Sequence, residues 1–228
     1  MILKKGLLLC VIIGTVTFSC FHKSDRQSIT EKVQAFTTDP NNAKLLEELT
    51  EMVVNADENW QLSAMDDLQS IFMVQRPDHH DVILPLIHEN LSSKSHVIRR
   101  KSLDMLSAMK PFDLQKSSSH LFRIMDSYPN TDLFHISVRL IAHSREQACS
   151  FSDELGGYLT NNHLNSESKS DVLSALFYLN KYCSIDLLQY VDAVYESHDL
   201  RLQADLEKLI KNWKIDVNAM RESASDSD

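Results

Sequence analysis

The sequence predicts an all-α fold, a right-handed α-solenoid of about five helix pairs, with an irregular helical bundle as the alternative packing of the same helices. Two observations predict it. The small residues Ala64, Ser102, Ser137, Ala175 and Ala204 recur at intervals of 38, 35, 38 and 29 residues, each inside an apolar helical pattern. Glycine is nearly absent. The chain has four, of which Gly6 and Gly14 lie in its apolar start, leaving only the pair Gly156 and Gly157. Few hairpin turns fit such a composition, and no Gly-rich phosphate-binding loop does.

The elements follow in order. Residues 28–36 are expected to cap the N-terminal end as a helix. The first pair begins at 43–54, where Leu45, Leu46, Leu49, Met52 and Val53 fall at helical spacing. Its second helix carries Asn59, Trp60, Ala64 and Leu68. Val82–Leu91, the polar turn 92–95 and His96–Leu106 form the second pair. The third is 113–126 with a partner through Phe134, Ser137 and Ile141. The fourth is a short helix over 152–161, weakened by its Gly pair, followed by a helix through Val172, Ala175 and Leu179. The fifth is 186–196 and a helix from His198 through Ala204 to Leu209. Pro40, Pro77, Pro111 and Pro129 fall between these helices, where proline costs least.

Val82–Leu106 resembles a HEAT repeat. Pro85 takes the place of the proline that often kinks the family's first helix. Ile98-Arg99, Ser102 and Leu106 take the places of its second-helix signature. The resemblance implies a stack in which each pair buries its apolar face only against its neighbours, and in which second helices line a concave surface. On those helices His135, Arg139 and His143 share one face, four residues apart. Arg100 and Asp104 take equivalent places one repeat earlier. These five residues are the candidate protein-binding stripe, weighed against a plain solvated helix face.

The chain opens with Lys4 and Lys5, an apolar run over 6–17, Ser19 and Cys20. The run is 12 residues long. A bilayer span needs about 20, so a removable secretory signal is expected. Ser19-Cys20 resembles the lipobox of bacterial lipoproteins, from which Thr17 and Phe18 depart. The resemblance implies cleavage after residue 19 and acylation of Cys20. Phe21, in the place where Asp would retain many such proteins at the inner membrane, leans toward the outer one. Residues 1–19 are then a signal peptide, 20–28 a lipidated tether, 29–215 the repeat domain and 216–228 a disordered acidic tail.

Charge narrows the partners. Without residues 1–19 the chain holds 21 basic and 32 acidic residues, a formal charge of −11. Phosphate backbones repel such a surface, so nucleic acid is not expected. The membrane is reached through the lipid anchor. Cys149 and Cys183 follow the second helices of adjacent repeats, and in an oxidising compartment they are candidates for a disulfide, against two free thiols.

No catalytic signature stands out, and no catalytic residue, cofactor or metal set is assigned. Asp78-His79-His80-Asp81 is ligand-like in composition. Neighbouring residues cannot all point at one ion, however, and a helix N-terminus explains the acids. The expected function is an envelope scaffold or assembly factor that binds a protein. The alternatives are an envelope enzyme or metal-binding protein whose site assembles from separate helices, and a non-lipidated secreted or periplasmic helical protein.

Overall fold

The computed structural model describes residues 27–75, 81–109 and 112–225. The signal segment, the acylation candidate Cys20 and the first three residues of the Asp78–Asp81 cluster lie outside them. The described residues are all-α and contain no strand. None of their helices is long and apolar enough to cross a membrane. They divide into two compact units, before and after residues 110–111.

The first unit holds α1 (27–38), α2 (Ala43–Asn55), α3 (Glu58–Gln69), α4 (Leu84–Asn90) and α5 (His96–Ala108). A π-helical stretch, Ser70–Gln75, prolongs α3. Short polar residues start α2, α3 and α5 by accepting otherwise orphaned backbone N–H groups. Asn42 accepts from the Leu45 amide, Asp57 from those of Asn59 and Trp60, and Ser95 from that of Ile98. First helix packs on first helix (α2 on α4) and second on second (α3 on α5). Leu49, Val53, Met65, Leu68, Leu86, Ile87, Ile98 and Leu103 are fully buried between them.

The second unit holds α6 (Leu114–Ser127), α7 (Asp132–His143), α8 (Ser152–Gly157), α9 (Ser166–Leu179), α10 (Leu187–Glu196), α11 (Leu200–Trp213) and α12 (Val217–Ser225). 3₁₀ turns, Arg145–Phe151 and Tyr158–Thr160, flank α8. The second helices stack in succession, α7 on α9 and α9 on α11. Phe134, Leu133, Ile141, Leu173, Phe177, Leu202 and Leu206 fill the seam.

Polar contacts show the register of the stacking. In the first unit Ser95 bonds Glu58 and Lys101 bonds Asp66. In the second, Asn165 bonds Asn130, His135 bonds Asp171, Ser166 bonds Asp199 and Ser170 bonds Asp205. Each joins residues 33 to 37 apart in sequence. One repeat therefore meets the same position of the next. Ser102 and Ser137 are fully buried, as small residues at a helix crossing should be. Each hydroxyl satisfies itself on its own helix, donating to the Ile98 and Leu133 carbonyls at 2.9 Å.

Three expectations are corrected. Pro85 does not kink a helix: α4 begins at Leu84, so Pro85 sits in the first turn, where a missing N–H is harmless. Ala204 is exposed, and Leu202 and Leu206 face the core instead. Most of the expected disordered tail over 216–228 is helix α12. Asp216 accepts the amides of Asn218 and Ala219, both at 3.1 Å. Arg221 then pairs with Asp192 of α10 at 2.6 Å.

Candidate functional site

The helices α7, α9 and α11 end side by side, and each ends in chemistry. His143 closes α7, Tyr178 lies in the last turn of α9 and Trp213 closes α11. These three residues are 35 positions apart and occupy one place in three successive repeats. The register that stacks the core thus also lines them up. Left-handed residues help end two of the helices: Arg145, with φ 54°, just after α7, and Lys214, with φ 54°, at the end of α11. The chain reversal after α11 is completed when the Ile215 amide donates to the Ile210 carbonyl at 3.0 Å.

The rings interleave with cations. The His143 imidazole meets Tyr178 edge-on, centroids 5.9 Å apart. Tyr178 and Tyr182 are 5.5 Å apart, with their hydroxyl oxygens 3.4 Å from each other. The Arg145 guanidinium stands 5.5 Å from the Tyr182 centroid. The Lys181 ammonium lies 4.1 Å from the Trp213 centroid and 5.7 Å from that of Tyr178. Such cation–ring contacts contribute about 0.5–1 kcal/mol each at exposed positions. Positive side chains here also complement the negative ends of the helix dipoles.

Electrostatics divide the two phenols. The hydrogen bond with Tyr182, helped by Arg145 and Lys181, moves the Tyr178 phenol below its ordinary value. The same hydrogen bond holds Tyr182 above its own.

A disulfide buttresses this edge. Cys149 and Cys183 are bonded, with Cα atoms 5.4 Å apart, as the sequence allowed. The bridge ties the 3₁₀ segment that begins with Arg145 to the residue after Tyr182.

The candidate stripe has mixed fates. On α5, Arg100 and Asp104 form an i,i+4 ion pair at 3.3 Å, which is worth a few tenths of a kcal/mol on an exposed face. On α7, His135 Nδ1 lies 2.7 Å from an Asp171 carboxylate oxygen, so this histidine is committed to holding α7 against α9. Arg139 and His143 remain exposed on the same face. His143 belongs to the aromatic edge, and Arg139 stands one turn before it.

Tyr178, Lys181, Tyr182, Arg145 and Trp213 escaped the sequence reading. The signal that finds them is the 35-residue spacing of His143, Tyr178 and Trp213, which a search keyed to small core residues passes over. Among the described residues no three His, Cys, Asp or Glu side chains gather as a metal-ligand set. The rings and cations of the edge suit non-covalent recognition. Comparison with protein-family models, curated proteins and solved structures finds no match to this chain.

Proposed function

We propose that this chain is an exported, lipid-anchored helical-repeat scaffold that binds another protein in a bacterial envelope, at the outer membrane and facing the periplasm. The Cys149–Cys183 disulfide carries the reading. Disulfides persist in oxidising compartments and are rare in reducing cytosol, and the chain opens with a secretory pattern that ends in Cys20. An acidic body gains little from anionic lipid. A tether of two or more acyl chains supplies the attachment instead, each buried CH₂ contributing about 0.8 kcal/mol. Stacked repeats offer extended surfaces to a partner, and the edge of α7, α9 and α11 concentrates Tyr, Trp and Arg, the residue types that dominate binding energies at interfaces.

Fractionation of cells producing the wild type and Cys20→Ser tests the anchor. The expected result is wild type in the detergent-soluble membrane fraction and the variant released with soluble envelope proteins. Equal membrane association of both would overturn it.

A further inference from the structure

We propose that the edge formed by His143, Tyr178 and Trp213 binds an acidic, extended peptide segment of a partner protein. This rests on the scaffold reading and names the site and the ligand class within it.

The geometry suits a linear ligand. The three residues repeat at one position of three neighbouring helices. Packed helices lie about 8–10 Å apart, so the row spans about 16–20 Å. An extended chain covers that in about five or six residues. The rings supply flat, preorganised faces. The Lys181 ammonium between Trp213 and Tyr178, and the Arg145 guanidinium beside Tyr182, punctuate them. The Cys149–Cys183 bridge ties the segment that carries Arg145 to the residue after Tyr182, which reduces the ordering left to be done on binding.

Charge selects the ligand. The chain carries a formal charge of −9, yet Arg145 and Lys181 are exposed against the rings of the edge, and exposed Arg139 stands one turn before His143 on α7. Glu146, whose charge acts on Tyr182, is a local counter-charge. A local excess of cations on an acidic protein steers an acidic segment to this edge and keeps it off the remaining surface. Nucleic acid shares the negative charge but would be repelled by the rest of the molecule. A membrane surface fits less well. Interfacial anchoring needs projecting rings, whereas Tyr178, Tyr182 and Trp213 are half-buried. Among the described residues the large apolar side chains that do project, Val97, Tyr195 and Leu200, are none of the rings of the edge.

Fluorescence anisotropy on the purified soluble chain, starting after Cys20 with its disulfide intact, tests the proposal. The probe is a labelled peptide of about twelve residues built from Glu-Ala-Asp-Leu units. Its neutral control replaces Glu by Gln and Asp by Asn. Vesicles of phosphatidylethanolamine and phosphatidylglycerol at about 7:3 are the second control. The expected result is binding of the acidic peptide that weakens with added salt, with no binding of the neutral peptide or the vesicles. Arg145→Glu and Lys181→Glu should each weaken it about tenfold or more, while Lys44→Glu on α2 leaves it unchanged. Melting curves that match the wild type show that the variants fold. Where a reversal variant melts early, Lys181→Gln takes its place, with an expected loss of about threefold. Equal binding of acidic and neutral peptides, vesicle binding instead, or an equal loss with Lys44→Glu would overturn the proposal. So would the absence of acidic-peptide binding. In that last case, release of Cys20→Ser from membranes would still stand, so the two readings fail separately.

Discussion

Gly156 lies directly against the phenol ring of Tyr190. A Cβ placed on Gly156 would stand 2.2 Å from the ring's Cε1 and 2.7 Å from its Cζ, closer than real contacts allow. The ring cannot retreat freely, because its hydroxyl donates to Asp153 Oδ1 at 3.1 Å and to the Ser152 carbonyl at 3.3 Å. Gly156→Ala is therefore expected to destabilise the second unit by about 1–3 kcal/mol, through overpacking. At Gly157 the same Cβ meets nothing within 4 Å and the backbone is helical. Gly157→Ala should be neutral or stabilise by up to about 1 kcal/mol. Denaturant midpoints of the two variants decide between a packing role and mere flexibility of the pair.

The Cys149–Cys183 bond closes a segment of sequence separation 34. Chain entropy predicts a stabilisation of about 3–4 kcal/mol from a loop of that size. Cys149→Ser with Cys183→Ser should lower the unfolding midpoint of the second unit. Reductant should do the same to the wild type and nothing to the double variant. Urea melts with and without reductant check this.

Tyr190 gives the alkaline limit. Burial first, then the hydrogen bond to Asp153 and that residue's charge, push its phenol from the ordinary value of 10 up to about 12. The folded state therefore keeps a proton that the unfolded state loses. The stabilisation is full below about pH 10 and declines as pH rises through about 12. Tyr158, buried and donating to Asp126 at 2.6 Å, is shifted the same way. Tyr190→Phe should flatten the loss of stability above pH 10, measured by thermal melts across that range.

Asp199 caps α11, accepting the amides of Arg201 and Leu202 at 3.1 Å and the Ser166 hydroxyl at 2.7 Å. The Ser166 hydrogen bond first, and the backbone amides with it, hold its carboxyl below the ordinary value of 3.8. Its contribution is thus complete above about pH 4 and is lost as pH falls through the lowered value. Asp199→Ala should cost about 0.5–2 kcal/mol at neutral pH, and the difference from wild type should shrink in acid. Asp199→Asn, which retains the cap, should lie between them.

Much of the helix order was legible because core periodicity is local. The caps Asn42, Asp57, Ser95 and Asp113 are local signals too, though periodicity alone placed the helices. Ser102 and Ser137 mark crossings because a tight seam leaves no room for more. The failures are tertiary. Gly156 looked like a weak point in a helix, and only the Tyr190 ring, 34 residues on, explains it. α12 has little apolar surface of its own and is held by a cap and by the Arg221–Asp192 pair. His135 looked free until Asp171 was placed against it. The aromatic edge was visible as a 35-residue spacing, but its meaning depends on second helices ending together.

Intact-mass analysis of the protein extracted from membranes, under alkylating and non-reducing conditions, bears on the whole account at once. The predicted species begins at Cys20, carries added lipid mass and has no alkylated thiol. A chain that retains residues 1–19, or one with Cys149 and Cys183 both alkylated, would contradict it.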